Sequence, residues 1–146
     1  MQATWVDNGE SLSENALRAE GVLYAKLPLA GYRNAIDDLK STRGYVQEDE
    51  VHMHEAMPNF EAISAKFSPE HLHDDDEVRF VIEGEGIFEI RSTGDRMMKV
   101  LVTAGDLIVV PAGRNHRFLL TASKQIRAMR LFKDQSGWVP RYRAAA

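Results

Sequence analysis

The strongest constraint on the fold is residues 71–84, in which two histidines, a glutamate and an arginine occupy odd positions while Val78, Phe80 and Ile82 occupy even ones. In an extended strand, side chains two positions apart point to the same side. Four polar side chains would share one face of such a strand: His71, His73, Glu77 and Arg79. A polar cluster this dense on a strand that is buried on at least one side requires a metal ion or an ionic partner. Two neutral imidazoles and a carboxylate are typical ligands of Fe(II), Ni(II), Mn(II) or Zn(II).

A second motif, residues 105–116, adds a third histidine. Its apolar first half indicates a strand, and the step from Pro111 to Gly113 indicates a tight turn. His116 comes just after that turn. The motif therefore predicts a histidine placed at the end of a strand, where it can complete the polar cluster.

Together the two motifs resemble the paired motifs of the cupin superfamily. The first has the order His, one residue, His, three residues, Glu, six residues, Gly, and the second has Gly, five residues, Pro, one residue, Gly, two residues, His. Ala65 stands where the first motif often begins with glycine, and Leu120 stands where the second often ends with asparagine. Neither departure removes a ligand, so the joint spacing favours a cupin metal site.

The residue pattern predicts a mainly β fold, a cupin jelly-roll β-barrel with a small α+β N-terminal portion that contains two helices. The helices are predicted at residues 14–20 and 32–42. Residues 45–58 are charged and predicted to be irregular, and residues 60–67 fit either the end of a helix or a strand. Short strands are predicted at 3–6, 22–27, 77–83, 86–91, 96–102, 107–110, 116–121 and 125–132. Many short strands at regular spacing are typical of a sandwich or barrel.

Length and composition limit the class of protein. The chain has 146 residues and suits one domain, 1–146, with an N-terminal portion at 1–66 and a metal-binding core at 67–140. It has no cysteine, so metal binding depends on histidine and carboxylate. The net charge of −4 is spread without a basic patch, which argues against a nucleic-acid partner. The longest apolar run, 107–112, is too short to cross a bilayer, and the chain starts without a signal peptide. We therefore expect a soluble cytoplasmic protein.

The residues around the two motifs resemble the acireductone dioxygenase family more specifically. The matching runs are 76–84, 86–88, 105–113, 130–132 and the Gly-Trp pair at 137–138. The resemblance covers roughly residues 60–140 and continues more faintly upstream. It implies that Fe(II) or Ni(II), one ion per chain, is held by four ligands: His71, His73, Glu77 and His116.

The resemblance also implies a reaction. The substrate would be acireductone, 1,2-dihydroxy-3-oxo-5-methylthiopentene, which the family cleaves with O2 in methionine salvage. The Fe(II) form of the family yields a 2-oxo acid and formate, and the Ni(II) form yields methylthiopropionate, formate and carbon monoxide. The family also favours a monomer.

Two arginines fit this chemistry. Arg79 shares the parity of Glu77, and Arg130 shares the parity of Ile126 and Ala128 in an apolar strand. A guanidinium inside a barrel is costly unless an anion compensates it. That anion could be the dianionic substrate or the ligand carboxylate, and a purely structural carboxylate partner is the alternative.

Further site residues are implied by the resemblance. The aromatic residues Phe67, Phe118 and Trp138 would wall the pocket, although aromatic side chains in barrels are often plain core. Asp75 would act as a hydrogen-bond acceptor behind the ligands or as a proton carrier.

Three residues depart from the family at the expected pocket rim, namely Arg114, Asn115 and Arg117. They leave the exact substrate open. Two alternatives to the dioxygenase are a cupin that binds metal and a small polar ligand without turnover, and an isomerase that uses the same site. A second pair of histidines, His52 and His54, lacks a carboxylate at matching spacing and is not predicted to bind metal.

Overall fold

The computed structural model describes residues 2–133 and 140–143, and in these ranges it contains ten strands and three helices. The strands are β1 (Gln2–Trp5), β2 (Leu23–Lys26), β3 (Gln47–His54), β4 (His71–Leu72), β5 (Glu77–Arg91), β6 (Met97–Thr103), β7 (Asp106–Val110), β8 (His116–Leu120), β9 (Gln125–Phe132) and β10 (Arg141–Tyr142). The helices are α1 (Glu14–Ala19), α2 (Tyr32–Arg43) and α3 (Phe60–Phe67). The expectation of a mainly β fold is confirmed.

Two antiparallel sheets share the long strand β5. Sheet A has the order β1-β6-β5-β8-β4-β10, and sheet B has the order β2-β7-β5-β9-β3. The first half of β5 pairs with β7 and β9, whereas its second half pairs with β6 and β8. One strand therefore passes from one sheet to the other and joins them into a jelly-roll.

The prediction of two strands at 77–83 and 86–91, separated by a turn, is wrong. The chain bends at this point but remains one continuous strand, because the register with β9 shifts between Val81 and Glu83 and then continues to Gly84. Gly84 makes the bend possible, since its φ is 78° and a Cβ there would lie 2.3 Å from the carbonyl oxygen of Gln125.

The apolar residues form two clusters on the two faces of sheet B. The cluster between the sheets includes Val81, Phe88 and Ile126. The second cluster lies on the outer face, where α2 contributes Ile36 and β5 contributes Phe80. The alternation along β5 therefore buries its apolar side under α2 and turns its polar side towards the barrel interior.

The N-terminal portion is more regular than the sequence indicates. Residues 47–54, predicted to be irregular, form β3, whose eight residues all pair with β9. In β3, Val51 and Met53 alternate with polar side chains and line an interior cavity. This alternation is short and follows four polar residues, so the sequence did not indicate a strand. Residues 60–67, left open between helix and strand, form α3, so the structure has three helices where two were predicted.

The strands of the N-terminal portion complete both sheets. β1 pairs with β6, β2 pairs with β7 and β3 pairs with β9. Among the described residues, none of the helices has the length and apolar character needed to cross a membrane.

Candidate metal centre

The fold brings together the four residues of the two sequence motifs. His71 lies on β4 in register with His116 at the start of β8, and Glu77 begins β5. His73 follows β4, and its carbonyl oxygen accepts a 2.9 Å hydrogen bond from the amide of Gly113. All four side chains are buried, and one potential ligand atom from each lies within 4.8 Å of the others. Among the residues that the structure describes, this is the one such group of three or more.

The backbone orients two of the imidazoles. Nδ1 of His71 is 2.8 Å from the carbonyl oxygen of Pro69, and Nδ1 of His116 is 2.9 Å from the carbonyl oxygen of Arg114. A carbonyl can only accept a hydrogen bond, so each Nδ1 carries the proton. The lone pair of each Nε2 is then available for a metal ion.

The donor atoms fit a bound cation. Oε2 of Glu77 and Nε2 of His116 are in contact inside the cluster, and neither has another hydrogen-bond partner in the described part of the chain. Buried polar atoms are normally hydrogen-bonded. A divalent ion held by the four residues would satisfy both atoms, and three imidazole nitrogens with one carboxylate oxygen suit a mid-series ion.

The protonation states of three of the four residues fit metal binding, and that of His116 depends on its contact with Glu77. Burial alone would raise the pKa of Glu77, but the Arg79 guanidinium and the His116 imidazole outweigh burial and hold that pKa well below its usual range. Burial lowers the pKa of His71 and of His73, which favours the neutral imidazoles that a metal requires. Burial also acts to lower the pKa of His116, but the neighbouring Glu77 carboxylate raises it overall.

The two predicted arginines are direct neighbours on sheet B, because Arg79 and Arg130 are paired in register. Nη2 of Arg79 lies 2.6 Å from Oε1 of Glu77, so this guanidinium is bonded to the carboxylate of the cluster. Nε and Nη2 of Arg130 donate to the two carboxylate oxygens of Asp49, at 2.7 and 2.5 Å. Both arginines thus have a carboxylate partner, and that of Arg130 was not found from the sequence.

A cavity of about 240 Å³ opens beside the cluster. Its lining includes His71, His73, Arg79, Arg130 and Phe67. The cavity therefore exposes two of the imidazoles and both guanidinium-bearing side chains to a ligand, with an aromatic ring at its edge.

A smaller, mainly apolar cavity of about 30 Å³ lies in the barrel interior. Phe67 and Phe118 line it and pack edge to face, with ring centroids 6.4 Å apart. Gly86 makes room for this arrangement, because a Cβ there would lie 2.4 Å from the Phe118 ring. The third predicted aromatic residue, Trp138, lies outside the described residues.

The C-terminal strand adds a residue that the sequence did not reveal. β10 pairs with β4, which places Tyr142 opposite His71. The two rings are 5.9 Å apart, and the Tyr142 hydroxyl donates to the carbonyl oxygen of Lys66 at 3.2 Å. Tyr142 consequently lines the larger cavity. Only the pairing of β10 with β4 brings it there, and no local motif signals that pairing.

Asp75 is buried, but its contacts point away from the predicted role. Its carboxylate accepts hydrogen bonds from the amides of Asp76 and Lys133, at 2.8 and 3.2 Å. These bonds connect the loop before β5 to the end of β9. The geometry therefore favours an anchor for the loop over an acceptor behind the ligands or a proton carrier.

Two of the three departures from the family have partners on the neighbouring strand β5. Arg114 donates to the carbonyl oxygen of Arg91 at 3.1 Å. Arg117 follows His116 on the strand, so its side chain lies on the opposite face, where it pairs with Glu89. Arg114, Asn115 and Arg117 are all absent from the described lining of both cavities. A role of these residues in shaping the rim stays a prediction.

A jelly-roll with a buried cluster of three histidines and one glutamate defines a cupin metal site. A model of the ARD/ARD' family matches residues 2–140. An acireductone dioxygenase of Heterostelium pallidum is 42% identical over 140 residues, 96% of each chain, and one of Rattus norvegicus is 38% identical over 132 residues, 88% of this chain and 74% of the rat protein. The solved structure of the Bacillus anthracis acireductone dioxygenase, with a cadmium ion in its active centre, superposes with a TM-score of 0.92 at 30% identity and covers 97% of both chains.

The chain belongs to the acireductone dioxygenase family of the cupin superfamily. The sequence-based expectations of the family, the fold and an enzymatic role are confirmed. The relatives and the cluster of ligand atoms support a metal-dependent dioxygenase and point to a divalent ion in the site.

Proposed function

We propose that the protein cleaves acireductone with O2, using Fe(II) or Ni(II) held by His71, His73, Glu77 and His116. The observation that supports this most strongly is the convergence of four buried ligand atoms, two of which have no partner outside the cluster. Three imidazoles and one carboxylate accept either ion, so both are included in the proposal. When bound, the ion would supply Lewis acidity that favours the deprotonated enediol.

The chain itself would bind and orient the substrate. Arg79 and Arg130 line the larger cavity side by side, and a dianionic ligand there would compensate their adjacent positive charges. Arg79 also holds the Glu77 carboxylate in place through its 2.6 Å bond. We assign both arginines to substrate anchoring.

The aromatic side chains would exclude water from the reacting atoms. Phe67 contributes to the linings of both the larger cavity and the smaller apolar one. Phe118 packs behind it, and we propose Trp138 as a further wall residue on the basis of family resemblance. A dry wall strengthens the electrostatic interactions inside the site and limits side reactions. In this proposal Asp75 fixes the loop before β5.

The proposal includes both product sets of the family and a place in methionine salvage. The Fe(II) form would give a 2-oxo acid and formate, and the Ni(II) form would give methylthiopropionate, formate and carbon monoxide. We further propose that the protein acts as a cytoplasmic monomer with a single domain, residues 1–146.

The test is anaerobic reconstitution with Fe(II) and, separately, with Ni(II), followed by acireductone, oxygen-electrode recording and product analysis. We expect oxygen uptake with formate in both forms and carbon monoxide in the nickel form alone. Stoichiometric metal without oxygen uptake would contradict the proposal and favour a binding module or an isomerase. Carbon monoxide from both forms would contradict the assignment of products to metals.

A further inference from the structure

Four charged side chains are next to one another on the inner face of sheet B, beside the larger cavity. Asp49 on β3 is in register with Arg130 on β9, and Arg130 is in register with Arg79 on β5. Glu77 lies two residues before Arg79 on the same face and bonds to it. The two guanidinium groups are therefore adjacent, and each is paired with its own carboxylate: Arg130 with Asp49, and Arg79 with Glu77.

The two guanidiniums need these carboxylates to remain adjacent. Like charges that are directly opposed on neighbouring strands repel one another. Arg79 is held by Glu77 and by a 3.0 Å bond to the carbonyl oxygen of Val78. Arg130 is held by Asp49 through two parallel bonds, an arrangement that fixes the orientation of the guanidinium as well as its position.

We propose that Asp49 is a positioning residue, which holds the Arg130 guanidinium beside Arg79 so that both can bind one anionic substrate. The ion pair uses Nε and Nη2 of Arg130 and leaves Nη1 outside the pair. Asp49 itself does not contribute to the described lining of the cavity, so it acts through Arg130. This inference rests on the proposed function, because it assumes that an anion binds in the cavity.

The same strand offers a matched control. Glu50 follows Asp49 and lies on the outer face, where its carboxylate accepts bonds of 3.1 and 3.4 Å from Arg127. Both carboxylates thus pair with an arginine of β9, but Arg127 is absent from the described lining of the cavity, whereas Arg130 is part of it. Neutralising each carboxylate separates an effect on the cavity from a general effect of a lost ion pair.

The first test is steady-state oxygen uptake by the metal-loaded Asp49→Asn and Glu50→Gln variants. Asp49→Asn should raise KM about tenfold, the equivalent of one charge-assisted hydrogen bond, and change kcat by less than about threefold. Glu50→Gln should leave both constants within about twofold of wild type. Asp49→Glu retains the carboxylate and should recover most of the wild-type KM. An unchanged KM in Asp49→Asn, a lower one, or an equal rise in Glu50→Gln would overturn the proposal.

A double variant tests whether Asp49 acts through Arg130. The change Asp49→Asn should add no further rise in KM in an Arg130→Gln background, because the group that it positions is gone. The double variant replaces both charges of the ion pair with neutral amides, so no unpaired charge is left. It can therefore be measured even if Asp49→Asn alone folds poorly. An additional rise in KM there would contradict a role through Arg130.

A spectroscopic readout keeps the inference separate from the proposed function. In the metal-free protein, the NMR signal of the Arg130 Nε–H group should shift and exchange faster with water in Asp49→Asn but not in Glu50→Gln. If wild type shows no oxygen uptake but this signal responds, the proposed function fails while the positioning of Arg130 stands. An unresponsive signal would reject the positioning role whatever the activity.

Discussion

Two buried carboxylates, Glu77 and Asp106, each begin a strand, and they differ in what surrounds them. Asp106 is fully buried, and its oxygens accept hydrogen bonds from the amide of Thr103 at 2.8 Å and the hydroxyl of Tyr24 at 2.7 Å. One oxygen of Glu77 bonds to Arg79, but the other faces His116 and has no further partner among the described residues. A carboxylate with a structural role is satisfied by protein donors, whereas a carboxylate in a binding site keeps an oxygen for its ligand.

Because Glu77 and Asp106 differ in their partners, we expect mutations of the two residues to have different effects. Burial acts to raise the pKa of both groups, and in both cases the partners outweigh it and lower the pKa. Protonation behaviour alone therefore does not separate a structural carboxylate from a ligand. Stability and metal binding, measured on the same variants, should separate them.

The largest effect is expected from Glu77→Gln. This change removes a ligand and leaves the buried Arg79 guanidinium without its carboxylate, so metal binding should be lost and the free energy of unfolding should fall by roughly 3–5 kcal/mol. Urea denaturation of the metal-free protein and metal analysis after dialysis would measure the two effects. If Glu77→Gln retained one metal ion per chain, Glu77 would not be a required ligand and would not differ in this respect from the structural carboxylate Asp106.

The change Arg79→Ala should act on the substrate and spare the metal. The four ligands remain, so the metal content should stay at one ion per chain, while kcat/KM should fall roughly 30- to 100-fold, the equivalent of about 2–3 kcal/mol. Arg127→Ala, which removes an arginine from the outer face of sheet B, is the control. Unchanged kinetics in Arg79→Ala would argue against anion anchoring.

The change Asp106→Asn should act on stability and spare the site. It replaces a charged acceptor of the Thr103 amide and the Tyr24 hydroxyl, so the free energy of unfolding should fall by about 1–3 kcal/mol. Metal affinity should stay within about twofold of wild type. The exposed Asp38→Asn variant is the control and should change stability by less than about 0.5 kcal/mol. Loss of metal in Asp106→Asn would show that this carboxylate also supports the site.

The smallest effect is the pH dependence of the Asp106 contribution. The pKa of Asp106 is lower in the folded protein than its ordinary value of 3.8, so folding favours the ionised carboxylate. The contribution is therefore complete above about pH 4 and is lost as the pH falls through the folded pKa. The stability difference between wild type and Asp106→Asn should be constant from pH 7 to about pH 5 and shrink below pH 4. A difference that grows with acidification would contradict this sign.

The sequence predicted the parts of the site that depend on local spacing. His71 lies on β4, His73 follows it and Glu77 begins β5, so strand parity grouped the three residues correctly although residues 73–76 interrupt the extended segment that was expected. The turn before His116 places this fourth residue next to them. Asp49 and Tyr142 were missed because pairing with distant strands brings Asp49 to Arg130 and Tyr142 to the cavity. Such register cannot be derived from either segment alone.

The errors in the fold have a similar origin. The strand β3 is charged on its outer face and has few apolar residues, so its sequence resembled that of a solvated loop. The glycines of β5 indicated a turn, although their conformational freedom here allows one strand to bend between two sheets. In both cases tertiary pairing decided the structure of a segment whose local signal was ambiguous.

The most direct test of the metal centre is the change His116→Ala, with His54→Ala as the matched control on the outer part of sheet B. After reconstitution with Ni(II) and dialysis, metal content and oxygen consumption with acireductone would be measured on both variants. We predict that His54→Ala keeps one ion per chain and wild-type oxygen uptake, and that His116→Ala loses both together. A His116→Ala variant that kept wild-type oxygen consumption would contradict the four-ligand centre.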